Sequence, residues 1–362
     1  MNRQPIYLTI KNYLMQLIRE NRDKDDFKLP SETQLANKFN ASRVSVRNAL
    51  LLLERNHCII RIRGKGTFIN RQQNIEDSDD IRNIVACIIP NTDSCFSRQL
   101  LEGIREYCSD NRFELVTFLS GNDINTEKLS IQACMDLQCR GLILFPCDNE
   151  LYNERLLSLS FEKFPLVLVD RKLKGIDISC FSTDHYNSMI ETVRMLKQHN
   201  FQHIVFITPQ NHFCSSVEDR IRGFEQGILE NYGMFTANNL LYIKDYQPES
   251  LEETCADFLR KNPQTQVIIV NSGAGALAVY RAAHSLGILI PEQLQLVFFD
   301  DECEALHGIV QWDYSAILQD AKKIGYSVAQ ALCREITDGI KAKDTKFNAT
   351  IVDRVADKYI LP

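Results

Sequence analysis

Two groups of residues in this chain have types and spacings that could do chemistry. The first is short: Arg43, Ser45 and Arg47, preceded by Ser42. Arg43 and Arg47 are four apart and share one face of a helix, while Val46, Ala49, Leu50 and Leu53 mark another. Guanidiniums at such spacing can fork onto phosphates or base edges, and Ser42 has the chemistry of an N-cap. Surface ion pairs are the ordinary use of exposed arginines, but acidic partners are sparse in this part of the chain. Twenty residues on, Arg63-Gly64-Lys65-Gly66 sets a lysine between glycines, which permit a sharp turn and close approach of backbone to an anion.

The second group lies where apolar runs stop. Asp170-Arg171 follow Leu166–Val169, Asn271 follows Val267–Val270, and Asp300 follows Leu294–Phe299. Arg220 heads a helical stretch, and Gln319 follows another apolar run. All are directional hydrogen-bonding groups, and a charged hydrogen bond to a hydroxyl is worth about 1.5–3 kcal/mol. Asp170 and Asp300 could equally cap turns. Phe96 offers either a flat stacking surface or ordinary core, Gln319 either ligand contact or support for a crossover, and Phe213 and Trp312 either ligand contact or packing anchors.

Catalysis finds little support. Asp300-Asp301 are paired carboxylates, but adjacent strand residues point to opposite faces and cannot flank one glycosidic bond. Pro90-Asn91-Thr92-Asp93-Ser94-Cys95-Phe96 stands where a dinucleotide-binding Gly-x-Gly-x-x-Gly would follow the first strand. Walker A and Gly-x-Ser-x-Gly patterns are absent, and Asn271-Ser272-Gly273-Ala274-Gly275 is a weak phosphate-loop signal. The 12 cysteines form no CxxC pair and no cluster at ligand spacing, so no metal and no cofactor is expected.

The elements that must position these residues fall into two textures. Behind Pro5, Ile6, Ile10, Tyr13, Leu14, Leu17 and Ile18 recur at helical spacing. Ser31 with Gln34 three residues later forms a capping-box signature for a second helix to about Phe39, and Ser42 opens a third. Two short helices with a tight connection make a helix-turn-helix, whose second helix enters the major groove; two strand-like runs around Gly64 make a wing. Residues 71–83 have the acidic, polar composition of a linker. From Ile84, short apolar runs alternate with amphipathic helical stretches, the pattern of parallel sheets covered on both faces.

At 362 residues, 44% of them hydrophobic, the chain exceeds a single core. Its net charge of −6 is unevenly shared: residues 1–74 carry 14 Lys+Arg against 6 Asp+Glu, the remainder 27 against 41. A basic head on an acidic body points to a polyanion met by the head alone. No apolar run approaches the length of a membrane span, and Met1-Asn2-Arg3-Gln4 lacks a secretory apolar core, so a cytoplasmic protein is expected.

The run from Leu29-Pro30-Ser31-Glu32 through Ser42-Arg43-Val44-Ser45-Val46-Arg47 to Gly64-Lys65-Gly66-Thr67-Phe68 resembles the GntR-type winged-helix family. The resemblance implies DNA contacts at Arg43, Ser45, Arg47 and Gly64, and Ser42 and Lys65 beside them are counted with these contacts. Thr33 replaces a usual basic residue and Val44 a usual hydroxyl, so the operator is not transferable from relatives. Residues 84–362 resemble the periplasmic-binding-protein-like sensor of the LacI family, through Ile88-Ile89-Pro90, Leu168-Val169-Asp170-Arg171, Ser182-Thr183-Asp184, Arg220-Ile221-Arg222-Gly223-Phe224, Ile290-Pro291-Glu292, Phe298-Phe299-Asp300-Asp301 and Ile317-Leu318-Gln319-Asp320. That fold binds ligand between two lobes, here about 84–181 plus 318–340, and 182–317 plus the C-terminal tail.

The likeness implies a sugar held by Phe96, Asp170, Arg171, Arg220, Asn271, Asp300 and Gln319, with Arg220 matching the family's sugar-binding arginine and Ser272 standing where an aspartate is usual. The combination resembles regulators of the arabinose-repressor type. It implies a homodimer on operator DNA, repression more than activation, and a monosaccharide effector such as L-arabinose or L-fucose. The competing reading is an α/β sugar-binding or sugar-modifying enzyme without a transcriptional role.

Overall fold

The computed structural model describes residues 6–21, 27–55, 58–62, 65–70, 83–147, 153–210, 214–244, 248–271, 273–300 and 314–355. The chain divides into two compact units, Met1–Arg82 and Asn83–Pro362.

In the first unit, helices α1 (Ile6–Glu20), α2 (Glu32–Phe39) and α3 (Arg43–Arg55) precede strands β1 (Ile59–Ile62) and β2 (Gly66–Ile69). Ile10, Leu14 and Ile18 of α1 are fully buried against Leu35 of α2 and Val46, Leu50 and Leu53 of α3. The Ser31 hydroxyl accepts the Gln34 backbone N–H, and the Gln34 side chain accepts the Ser31 N–H in return, fixing where α2 begins. Asn40 closes α2 in the left-handed conformation (φ 46°), which asparagine tolerates, and the Ala41 N–H returns to the Ala36 carbonyl at 3.0 Å. That tight stop leaves only two residues before α3, where the Ser42 hydroxyl accepts the Ser45 N–H at 3.1 Å. β1 and β2 pair antiparallel, Ile59 opposite Ile69 and Ile62 opposite Gly66.

The second unit begins with β3 (Ile84–Ile89), α4 (Cys95–Asp110), β4 (Glu114–Leu119), α5 (Ile124–Asp136), β5 (Gly141–Leu144), α6 (Glu154–Phe161), β6 (Leu166–Val169) and β7 (Ser179–Thr183). It continues with α7 (His185–Gln198), β8 (Ile204–Pro209), α8 (Ser215–Tyr232), β9 (Leu240–Ile243), α9 (Pro248–Lys261), β10 (Val267–Val270), α10 (Gly273–Ser285), β11 (Gln295–Phe299) and β12 (Ser315–Leu318). Helix α11 (Ala321–Asp338) and strands β13 (Thr345–Phe347) and β14 (Thr350–Val352) complete it.

Two six-stranded sheets result, ordered β13-β7-β6-β5-β3-β4 and β14-β12-β11-β10-β8-β9. All pairings are parallel except β12 with β14. The inner strands are apolar without alternation because helices cover both faces: Val85, Cys87 and Ile89 of β3 enter one core, Ala86 and Ile88 the opposite one. The two sheets have the same strand order position by position, a repeat that the sequence does not display, and differ in direction only at the edge, where β13 is parallel and β14 antiparallel to its neighbour.

α11 returns to the first lobe and lies backbone-to-backbone on α4. A Cβ built at Gly103 would stand 2.0 Å from the Lys322 carbonyl, and one at Gly325 2.1 Å from that of Leu100, so only glycine fits either position.

The structure departs from the sequence reading in three places. The tail does not pass whole to the second lobe: β13 adds to the first sheet, and the chain crosses for a third time just before β14. β7, β9, β12, β13 and β14 are short, and several are half-buried edge strands, which blurred their apolar signal. α8 begins at Ser215, so Arg220 lies in its second turn; the polar Ser215, Ser216, Glu218 and Asp219 hid that start.

Candidate functional site

All seven residues expected to hold ligand meet at one cleft between the lobes, of about 260 Å³. Asp170, Arg171 and Phe96 come from the first lobe, Arg220, Asn271 and Asp300 from the second, and Gln319 from a crossover. Pro90, Asn91, Ser94, Ser97, Phe145 and Ser216 complete much of the wall. Phe213, Asp301, Ser272 and Trp312 lie outside the described residues.

Two backbone kinks aim the carboxylates. Asp170 and Asp300 follow β6 and β11 at positive φ, 62° and 58°, while their N–H groups still bond across to Phe181 and Ile317 at 2.9 and 3.0 Å. Each residue has therefore left the strand's alternation. A left-handed non-glycine residue is uncommon, and its recurrence at the same place in both lobes fits a site that stores strain of about 1–3 kcal/mol per residue.

Arg220 is held before any ligand arrives. Its Nη1 donates to the Asn271 side-chain oxygen at 2.7 Å and to the Asn271 carbonyl at 3.3 Å, its Nε donates to His185 Nδ1 at 3.2 Å, and its guanidinium lies 3.7 Å from the Phe299 ring centroid. These contacts leave the Nη2 protons of the buried arginine without a partner among the described residues.

His185 was not singled out by sequence reasoning. It is the first residue of α7, 1% exposed, and hands Arg220's orientation on to the other lobe. With Nδ1 accepting from Arg220, the proton must sit on Nε2, which donates to Asp170 Oδ1 at 3.2 Å. Burial, followed by the Arg220 charge, pushes the imidazole below its ordinary value; Asp170 opposes both without prevailing. Burial also pushes the Asp170 carboxyl upward, but the His185 hydrogen bond and the charges of His185, Arg220 and Arg171 hold it well below the usual carboxylate range. The Ser216 hydroxyl donates to the second Asp170 oxygen at 2.9 Å. Ser216 also escaped the sequence reading; the only clue to either residue was its place in the first turn of a helix leaving a strand end.

Arg171 is anchored to its own lobe, Nη1 donating to the Pro146 carbonyl at 2.8 Å and to Asn122 Oδ1 at 3.2 Å, with its guanidinium 4.8 Å from the Phe145 centroid. Phe96 is 6% exposed and meets Phe145 edge-to-face at 5.9 Å, so these rings form one apolar wall. Gln319 lines the cleft and supports the crossover, tying the lobes by accepting from Thr183 Oγ1 at 2.7 Å and donating to Asp300 at 2.8 Å. The first turns of α8 face the first lobe, where Lys172 N–H donates to Ser215 at 2.7 Å, Lys174 pairs with Glu218 at 2.6 Å and Lys346 with Asp219 at 3.2 Å.

In the N-terminal unit, Arg43 and Arg47 are exposed on α3, and neither has an ion-pair partner among the described residues. Arg61, by contrast, pairs with Glu32 and approaches Glu54 at 3.9 Å. Ser42 and Ser45 hydroxyls lie 2.9 Å apart at the start of α3, next to Val44, which is 68% exposed. Lys65 is exposed in the β1–β2 turn, its N–H on the Ile62 carbonyl at 3.0 Å. Gly64 lies outside the described residues.

Comparison with known proteins agrees with both units. Residues 6–69 match the bacterial regulatory proteins of the gntR family, and residues 193–355 match the periplasmic binding protein-like domain. An arabinose metabolism transcriptional repressor from Geobacillus stearothermophilus is 23% identical over 304 residues, covering 82% of each chain. A transcription regulator from Staphylococcus saprophyticus superposes with a TM-score of 0.66 at 18% identity, over 77% of this chain and 99% of that one. A periplasmic binding protein/LacI transcriptional regulator from Alkaliphilus metalliredigens, complexed with D-xylulofuranose, superposes at 0.63 with 19% identity, over 75% and 98%.

A winged helix whose Arg43 and Arg47 have no ion-pair partner among the described residues, followed by a two-lobed α/β unit, defines a DNA-binding transcription regulator. Within that class, the chain carries a gntR-family helix-turn-helix domain joined to a periplasmic-binding-protein-like domain. No helix of the described residues is long and apolar enough to cross a membrane.

Proposed function

We propose that this chain is a repressor of sugar metabolism whose hold on operator DNA is controlled by a monosaccharide bound in the interlobe cleft. Residues 1–70 read the operator, 71–83 link, and 84–362 bind the effector and form a homodimer that sets half-site spacing. Ser42, Arg43, Ser45, Arg47, Gly64 and Lys65 are the DNA contacts under this reading. Phe96, Asp170, Arg171, Arg220, Asn271, Asp300 and Gln319 contact the sugar.

The observation that carries the proposal is Arg220. It is buried, fixed on three sides by His185, Asn271 and Phe299, and has Nη2 left for a ligand. Rigid charged donors opposite an apolar wall suit a ring with hydroxyl edges and a C–H face. The cleft's size suits one ring. A sugar that favours one arrangement of the lobes shifts the population of DNA-competent dimers. L-Arabinose leads the candidates, supported by the arabinose repressor relative, with L-fucose next.

A thermal-shift screen of monosaccharides tests this, since a ligand at 100 times its dissociation constant stabilises by about 2.7 kcal/mol. The stabilising sugar should then weaken operator binding in a gel-shift titration. No response to any sugar overturns the proposal.

A further inference from the structure

We infer that the cleft takes a neutral, unphosphorylated sugar and discriminates against phosphate esters and acidic sugars. The inference rests on the sugar-sensor reading above and adds the charge class of its ligand.

Four ionised side chains line the cleft, Asp170, Asp300, Arg171 and Arg220, so their charges cancel. A dianionic phosphate needs an excess of cationic or N–H donors, as at a glycine-rich helix start or an arginine cluster. Here part of each arginine's donor set is already committed, and each guanidinium is matched by a carboxylate in the same lining. Arg171 spends Nη1 on Pro146 and Asn122, and Arg220 spends Nη1 and Nε on Asn271 and His185. The imidazole beside Arg220 is an acceptor at Nδ1, not a second cation.

The carboxylates are also placed to repel an anion. Asp170 and Asp300 project from kinked strand ends in opposite lobes, both into the cleft's lining. The remaining polar wall, Asn91, Ser94, Ser97, Ser216 and Gln319, is uncharged and suits hydroxyls. No lysine lines the cleft among the described residues.

The test titrates the full chain calorimetrically with matched pairs: D-ribose and ribose 5-phosphate, D-fructose and fructose 1-phosphate, L-arabinose and arabinose 5-phosphate. L-Fucose and D-galacturonate extend the neutral and acidic series. At least one neutral sugar should bind, its charged counterpart at least 10-fold more weakly, a difference of about 1.4 kcal/mol. The neutral ligand's affinity should change less than two-fold between 20 and 500 mM salt. Asp300→Asn, which removes one of the two negative charges, should narrow the neutral-to-phosphate ratio. A phosphate ester binding as tightly as its neutral partner, or more tightly, overturns the inference and leaves the sugar-sensor reading standing. Failure of both series overturns the sensor reading and the inference with it.

Discussion

Arg220→Lys separates what the arginine does for the ligand from what it does for the fold. The wild-type guanidinium makes three hydrogen bonds, to His185 Nδ1 and to two oxygens of Asn271, and stacks on Phe299. Lysine keeps the positive charge near Asp170 but is a point donor on a flexible stem, and cannot hold His185, Asn271 and a hydroxyl at once. Losing one charged hydrogen bond to sugar costs about 1.5–3 kcal/mol, a roughly 10- to 150-fold weaker affinity. Stability should fall less than in Arg220→Ala, which leaves the His185 and Asn271 acceptors without their donor at about 1–3 kcal/mol per buried group. Operator affinity without sugar should stay within two-fold, and the variant's DNA complex should resist sugar. Calorimetry with the best neutral monosaccharide, a melting curve and a gel shift read these quantities together. Sugar affinity within two-fold of wild type would refute the ligand role of Arg220. Loss of sugar-free operator binding would refute the independence of the two functions.

Acid should loosen the cleft from below pH 6.5, because His185 is neutral in the fold with its pKa depressed from 6.5. Its contribution is complete above the unfolded value and declines as pH falls, by at most about 1.4 kcal/mol per unit. Asp170, depressed from 3.8, adds its loss only in stronger acid. His185→Gln supplies a donor and an acceptor without titrating, so its stability and sugar affinity should be flatter between pH 7 and 5; an unchanged profile would rule the imidazole out. Arg43→Ala and Arg47→Ala should each cost about 1–3 kcal/mol of operator affinity and relax preference at one position, whereas uniform weakening on all sequences would mark them as phosphate contacts only. Gly103→Ala forces a methyl against the Lys322 carbonyl and should lower stability by about 1–3 kcal/mol, read as a lower denaturation midpoint.

Much of the architecture was legible because helix signals are local. The Ser31–Gln34 capping box and the Ser42 cap depend on residues three apart, and both form as expected. The central strands β3, β5, β6, β8, β10 and β11 announced themselves as unbroken apolar runs, since burial on both faces leaves no room for alternation. Edge strands such as β9 and β13 carry no such demand and stayed hidden. The same limit applies to the cleft. Asp170 and Asn271 were visible as polar residues ending apolar runs. His185 was not, because its importance lies in contacts with residues 15 and 35 positions away along the chain. The kinks at Asp170 and Asp300 were equally silent: sequence alternation placed Asp300 on the strand, whereas its positive φ turns it off.

The two lobes repeat each other in strand order but not in what their strand ends present. After β5 stands Phe145; after β10, at the same position, stands Asn271. The corresponding helices α4 and α8 bring Phe96 to one side and Arg220 to the other, while Asp170 and Asp300 stay alike. A matched pair of grips would accept a ring in either of two opposed orientations. These unequal grips put the two rings in the first lobe's half of the lining and the Arg220–Asn271 pair in the second's, so turning the ring over exchanges hydroxyls for C–H groups at those contacts. The mismatch between two otherwise equivalent halves therefore fixes which face of the ring each lobe receives.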